Sequence, residues 1–379
     1  MFDSASAAID LDLISYLRSI PDARMRRGVR FPAWYLLLVA VLGILSGCQS
    51  LRDLERFAVR HHSALAEALG LELRRPPSDS SFRYFFHQVD VAALCAAIRD
   101  WTIAQIPGGA ADLDQLVCDG KTLRGSIELT AGGGSAFIAQ VTLYSAALGV
   151  AISQACYATR QPRASGAPAV ARRAGSGGSS HPGGCAPHPA PVFRQLQEQG
   201  ADFLLTVKAN QKTLHRQIRS QFQGKRHIPF VAGDHEISHG CDITWSLRAK
   251  QAHAHITEAW TGTSWIVEVT ASGTRDTKPF HATHLFLTSL RTTPEALLQL
   301  VRDRWSIEGW HWIRDTQLHE DAHRYRGNGA GVMATLRTAA LNLMRLAGFR
   351  SIRAGMQAVM HDITALLAMA RHRPEHGPG

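Results

Sequence analysis

The chain has 379 residues, 45% of them hydrophobic, which is enough to bury one large core or two or three smaller ones. Its balance is basic, 41 Lys+Arg against 31 Asp+Glu, and such a surplus suits a polyanionic partner. The six cysteines are scattered and form no C-x-x-C pair, which excludes a disulfide framework and a thiolate zinc site of ordinary spacing and fits a reducing cytosol.

The start, Met1-Phe2-Asp3-Ser4, is acidic and has no signal-peptide profile. The strongest apolar run, Trp34 to Gly47, is shorter than the roughly 20 residues that span a bilayer, so it reads as a buried helix and no membrane role is expected. Residues 1–110 read as a helical N-terminal domain. Arg24, Arg26, Arg27 and Arg30 form a basic cluster. Ser50 opens a helix with Leu51, Leu54 and Phe57 on one face, and Ser78 opens another through Phe82, Phe85 and Phe86. Two capped helices beside arginine clusters allow a helix-turn-helix DNA reader or a plain bundle with a solvated basic face.

From Leu113 the texture becomes that of an α/β domain. Leu116-Val117-Cys118 is a strand expected to end at Asp119, followed by Gly120-Lys121-Thr122-Leu123-Arg124. Phe137–Tyr144 and Ala147–Gln154 read as strands, with Gly132–Gly134 as a turn, and Phe193–Gly200 as a short helix. Phe203–Lys208 is a near-continuous apolar run, the pattern of a strand buried on both faces. Three more strands are expected within 224–292 (Ile243–Leu247, Trp265–Thr270, Leu285–Leu290), then a long helix from Pro294 and two amphipathic helices. Residues 160–192 hold almost only Arg, Ala, Gly, Ser, Pro and His. They have no periodicity and read as a linker, although a loop of that length is uncommon inside a compact domain.

Two places carry chemistry. A carboxylate such as Asp119 can hold Mg²⁺ while Gly120 lets a phosphate approach and nearby cations contact it; an Asp-Gly surface turn fits the same letters. Around Trp305-Ser306-Ile307-Glu308, helical spacing puts Arg304, Glu308, His311, Trp312 and Asp315 on one face. A solvated Arg304–Glu308 pair would explain two of these, but Trp305, Trp310 and Trp312 are many aromatics for an exposed helix.

The chain resembles the H-repeat-associated (ISAs-type) insertion-sequence transposases, of the DDE superfamily. The residues that carry the resemblance are Pro21 to Phe57, C-D-G-K-T-L-R-G-S at Cys118 to Ser126 and D-F-L-L-T-V-K-A-N-Q at Asp202 to Gln211. W-S-I-E at Trp305 to Glu308 and H-E-D-A-H-R-Y-R-G-N-G-A at His319 to Ala330 complete the set. The resemblance implies an α/β, ribonuclease-H-like catalytic core, 111–223 with 293–379, interrupted by a β-rich insertion at 224–292. It also implies two Mg²⁺ held by two aspartates and a glutamate, and double-stranded DNA at insertion-sequence ends as substrate. A DNA-associated protein of the bacterial cytoplasm is expected, with a homodimer as the candidate assembly. Asp119 matches the first aspartate and Glu308 the glutamate. Lys121, Arg124, Lys208, Arg302 and Arg304 are the expected phosphate contacts. Related families place an aromatic, an arginine and a lysine around the glutamate; here Arg304 matches the arginine, while Val301 and Asp315 stand in the other two slots.

The second aspartate is missing. Members of the family carry an A-D-A-L-H-T-Q-like stretch where this chain has its Gly/Pro/Ala-rich segment. Back-translated and read one base later, Gly183 to Val192 is compatible with Ala-Asp-Ala-Leu-His-Thr-Gln-Arg-Pro, and the preceding residues with Leu-Glu-Gly-Val-Leu-Ile-Gln, an apolar strand. Arg160 to Ala164 is compatible with Asp-Asn-His-Glu-Arg in the same frame. The segment therefore reads as family sequence translated out of frame. The expected protein is a transposase with a damaged catalytic set; the alternatives are a DNA-binding remnant or regulator without catalysis, and a metal-dependent nuclease of other purpose.

Overall fold

The computed structural model describes residues 12–25, 27, 29–130, 134–161, 198, 200–224, 227–238 and 240–374. Residues 162–192, the hidden aspartate with Cys185, the Phe193–Gly200 helix apart from Glu198 and Gly200, and Arg26 of the basic cluster lie outside them. The chain forms two compact units, Met1–Ala171 with Ser306–Gly379, and Arg172–Trp305.

In the first unit six helices precede the sheet: α1 (Leu13–Arg18), α2 (Ala33–Leu45), α3 (Leu51–Arg60), α4 (His62–Leu69), α5 (Asp79–Gln88) and α6 (Val91–Ala104). The apolar run behaves as its composition dictates: every residue of α2 except Trp34 is buried. No helix among the described residues is long and apolar enough to cross a membrane. Ser50 caps α3 in a reciprocal box, its hydroxyl accepting from Asp53 N and the Asp53 carboxylate accepting from Ser50 N. Ser78 caps α5 through Ser81 N. Leu54 and Phe57 of α3 and Phe82, Phe85 and Phe86 of α5 enter one core, so both capped helices turn their apolar faces into a bundle.

Four antiparallel strands follow: β1 (Val117–Thr122), β2 (Glu128–Leu129), β3 (Ser135–Ser145) and β4 (Val150–Gln161). Strand β3 pairs with β4 along one edge and with β1 and β2 along the other. Asp119 is not at the end of its strand. The ladder with β3 runs on through Gly120↔Val141, Lys121↔Gln140 and Thr122↔Ala139, which also excludes an Asp-Gly turn at that place. Gly134 O accepts from Thr130 N in the β2–β3 connection; Gly132 and Gly133 lie outside the described residues.

In the second unit β5 (Leu204–Val207) is followed by α7 (Lys212–Phe222), β6 (Val231–Ser238), β7 (Cys241–Gln251), α8 (Ala254–Ala259), β8 (Trp265–Arg275), β9 (Lys278–Thr288) and α9 (Pro294–Asp303). The strands form an antiparallel sheet in the order β5-β9-β8-β7-β6. The expectation that Phe203–Lys208 is buried on both faces is corrected: β5 is an edge strand with only Val207 buried, because β9 is its one partner among the described residues. Alternation assigns the sheet's faces. Ile266, Leu285 and Leu287 pack with Leu214, Ile218 and Phe222 of α7, whereas Val267 and Phe286 pack with Leu297, Leu298 and Val301 of α9.

The first unit is completed by α10 (Ser306–Thr316), α11 (Asn328–Leu346), α12 (Ile352–Val359) and α13 (Ile363–Ala370). The single long helix expected from Pro294 is thus two helices, parted at Arg304-Trp305. Three helices, not two, then close the chain, and α11 is not amphipathic: Gly329 through Met344 are all buried. Its polar side chains find partners inside. Asn342 Nδ2 donates to Ala151 O (2.8 Å) and to Thr102 Oγ1 (3.0 Å), and its Oδ1 accepts from Ala151 N (3.0 Å). One amide thereby ties α11 to α6 and continues the hydrogen-bonding of β4. Asn342→Ala leaves both backbone groups of Ala151 unpaired in the core, and should cost about 2–4 kcal/mol in urea unfolding. A loss below about 1 kcal/mol would mean these bonds contribute little.

Candidate active site

Along β1, Asp119 and Lys121 are two residues apart and so share a face. Helix α10 packs against this strand. Its row Ile307, Trp310 and Arg314 is buried, and the neighbouring row is Glu308, His311 and Asp315. His311 Nε2 lies 3.3 Å from Asp119 Oδ2, within ion-pair reach though off the hydrogen-bond direction, and Asp315 receives the Lys121 ammonium. The two steps match because two strand residues rise about 6.6 Å and four helix residues about 6 Å. Glu308 lies one turn before His311, on the Asp119 side of this register, and is exposed. The Asp119 side chain is 46% exposed.

Beneath the pair is a buried ionic cluster. Glu320 is buried with Arg314, whose Nε donates to Glu320 Oε1 at 3.1 Å while its Nη1 donates to Gln140 Oε1 at 2.6 Å. Lys121 Nζ stands 3.0 Å from Glu320 Oε2, close enough to pair though off the hydrogen-bond direction. Burial pushes the Glu320 carboxyl up, but Arg314, Lys121 and Arg337 outweigh it and bring the value down to about 2. The next residue differs. Burial raises the Asp321 pKa, with Asp315 and Glu320 adding to the rise and Lys121 opposing it. Asp321 accepts from the backbone N–H of Arg124 (3.1 Å), fastening the turn after β1 to the 319–327 loop. At Gly125 a Cβ would stand 2.1 Å from His323 O, so this contact requires glycine.

The expected phosphate contacts divide. Lys121 is nearly enclosed and engaged by Asp315 and Glu320. Arg302 is engaged by Asp234 and Glu236 of β6. Arg304 donates to Thr206 Oγ1 (2.9 Å) and lies over the rings of Trp305 and Phe286. It belongs to the second unit, not to α10, so the single helical face expected to hold both Arg304 and Glu308 is corrected; the helix break between them removes it. Arg124 and Lys208 are exposed. Trp310 is core, tilted against Tyr144, whereas Trp312 is 60% exposed. The cluster partners Arg314, Glu320 and Asp321 were not expected; the signal for the last two was the His319–His323 motif, whose letters gave no role.

Two family descriptions match the chain. "DDE_Tnp_1-associated" covers residues 14–102 and "Transposase DDE domain" covers residues 188–343. The chain belongs to the DDE transposase family. Relatives run nearly full length. The "H repeat-associated putative transposase YhhI" of Escherichia coli K12 is 22% identical over 355 residues, 88% of this chain and 90% of that protein. The "Putative transposase YncI" of E. coli O157:H7 is 23% identical over 352 residues, 88% of this chain and 87% of that protein. The transposase-domain match contains Glu308 and begins after Asp119.

Within this DDE transposase, Glu320 should be a main source of acid sensitivity. Its folded value lies below the ordinary 4.5, so its stabilisation is present above pH 4.5 and is lost as pH falls toward about 2. Glu320→Gln should cost about 3–5 kcal/mol near neutrality, since it leaves Arg314 buried without its anion, and should flatten the decline in that acid window. Urea unfolding of both proteins across pH 7 to 3 measures this; parallel pH profiles would remove Glu320 from that role.

Proposed function

We propose that the chain descends from a transposase performing Mg²⁺-dependent strand cleavage and transfer at insertion-sequence ends, on a ribonuclease-H-like core, and that it is catalytically impaired. The observation that carries the first half is the placement of α10, the helix of Glu308, against the strand of Asp119, with His311 between one turn and the other. Asp119 and Glu308 would be the metal carboxylates, Arg124 and Lys208 the exposed cations available to the duplex, and Lys121 a group that holds the acidic cluster in place.

Asp119 and Glu308 alone do not make a full metal site. Carboxylate oxygens are the hard donors Mg²⁺ prefers, but two-ion chemistry takes a set of them. Among the described residues no group of three His, Cys, Asp or Glu side chains could hold a metal ion. Two sequence facts support impairment. The frame-shifted reading of Gly183–Val192 restores an aspartate, and the transposase-domain match begins at residue 188, close to where that segment ends. A non-catalytic DNA-binding remnant is the second reading, favoured by the formal charge of +10 and the exposed arginines.

The test uses three purified proteins with Mg²⁺ on DNA bearing the element's ends: this chain, a frame-restored chain, and the restored chain with its regained aspartate changed to alanine. Cleavage is expected in the second alone. The nucleotide sequence across codons 155 to 195 checks the frame directly. Cleavage by the first protein would mean that another residue completes the site and that the account of damage is wrong.

A further inference from the structure

The His319–Ala330 motif does more than supply Glu320. Past Asp321 it runs along the N-terminal helices. His323 Nε2 lies 3.1 Å from Gln49 Oε1, Tyr325 donates to Gln49 O at 2.8 Å, and Asn328 Nδ2 donates to Val89 O at 2.7 Å, beyond the end of α5. These anchors flank a cleft of about 420 Å³ between the loop, the first turn of α3 and the length of α5 from Asp79 to His87. Its charged lining is mostly basic: Arg52, Arg83, Arg324 and Arg326, with His87 and His323, against the single acid Asp79. Two of these arginines are partly neutralised, Arg83 by Asp79 at 3.2 Å and Arg326 by Glu128 at 3.7 Å. Arg52 and Arg324 are exposed and have no carboxylate within ion-pair reach among the described residues. The start of α3 adds partial positive charge at the same rim.

Four guanidiniums converging on one opening repel each other, and two internal acids do not balance them. The occupant that lowers this energy is an anion that guanidinium forks grip well, and the chemistry is that of phosphate. The loop that lines the cleft also binds the backbone of Arg124 through Asp321, which ties it to the turn after β1.

We propose that this cleft seats phosphates of the duplex DNA backbone, fixing the duplex against the strand of Asp119 without reading its bases. The proposal rests on the DNA-end reading above and names residues outside its catalytic set. Cations that act through phosphate contribute a salt dependence, about 0.9 per phosphate in the slope of log affinity against log salt. The experiment titrates a fluorescein-labelled duplex of mixed sequence with the full chain between about 50 and 200 mM salt. It compares wild type, the double variant Arg52→Gln/Arg324→Gln, and the control Arg350→Gln/Arg353→Gln, whose arginines are exposed outside the cleft. The slope should fall by roughly two for the cleft variant and stay within about half a unit of wild type for the control. Thermal unfolding at equal midpoints shows that both variants fold. An unchanged slope in the cleft variant overturns the proposal and leaves the transposase reading standing. An equal fall in both variants also overturns it, since the charge effect would then be general. Absence of duplex binding by wild type overturns it as well, whereas the transposase reading is judged separately by cleavage in the frame-restored protein.

Discussion

A guanidinium with no exposed surface sits at the centre of the first unit. Arg314 carries five donors and an unavoidable charge, so burying it costs several kcal/mol unless good geometry offsets the loss of water. The offset comes from three directions. Glu320 supplies the anion, Gln140 of β3 accepts a further bond, and Trp310 offers its ring face 4.6 Å away. The same Gln140 is the ladder partner of Lys121, and Lys121 returns to Glu320. Strand, helix and loop are thereby closed into one ring of interactions. Removing Glu320 leaves the buried Arg314 charge without its counterpart, and such a loss is larger than the net stabilisation of the intact pair.

That ring explains why the proposed metal carboxylates need not hold themselves in place. Reacting groups must be fixed to within about 0.5 Å, and side chains on regular elements with buried neighbours meet that demand better than loop residues do. Asp119 lies within a strand whose backbone is paired on both sides of it, Cys118↔Leu143 and Gly120↔Val141. Glu308 rides on a helix pinned by Ile307, Trp310 and Arg314. Both are exposed enough to meet a ligand while their scaffolds are buried.

Much of this scaffold was legible in the letters. Unbroken apolarity marked α2, the Ser50 and Ser78 caps marked two helix starts, and the strand-like runs at Phe137–Tyr144, Ile243–Leu247, Trp265–Thr270 and Leu285–Leu290 fall on β3, β7, β8 and β9. What was misread has physical causes. An apolar run such as Phe203–Val207 does not reveal how many neighbours a strand has, and β5 is flanked only by β9 among the described residues. The break at Arg304-Trp305 carries no Gly or Pro. It comes from tertiary packing, which draws Trp305 against Trp245 and His284 while Trp310 enters the core of the other unit beside Tyr144. Glu320 was hidden because H-E-D-A-H has the composition of a solvated loop; only the fold shows two cations waiting beneath it. Asp119 and Glu308 were proposed by motif, and the packing of α10 against β1 was beyond the reach of spacing alone.

The arginines and lysines then fall into two groups by what surrounds them, and charge counting cannot separate them. Lys121, Arg302 and Arg314 stand against carboxylates of their own chain, so a phosphate approaching them would have to displace an internal partner, which for Lys121 and Arg314 includes the buried Glu320. Displacing a buried partner costs more than a surface contact returns. Arg52 and Arg324 lack such partners among the described residues, and Arg124 holds Asp321 mainly through its backbone while most of its side chain is exposed. For these the exchange is between water and phosphate, with counterion release favouring phosphate. A polyanion should therefore settle on the rim of the site, where the cations are free to answer it, and not on the cations that sequence places nearest the carboxylates.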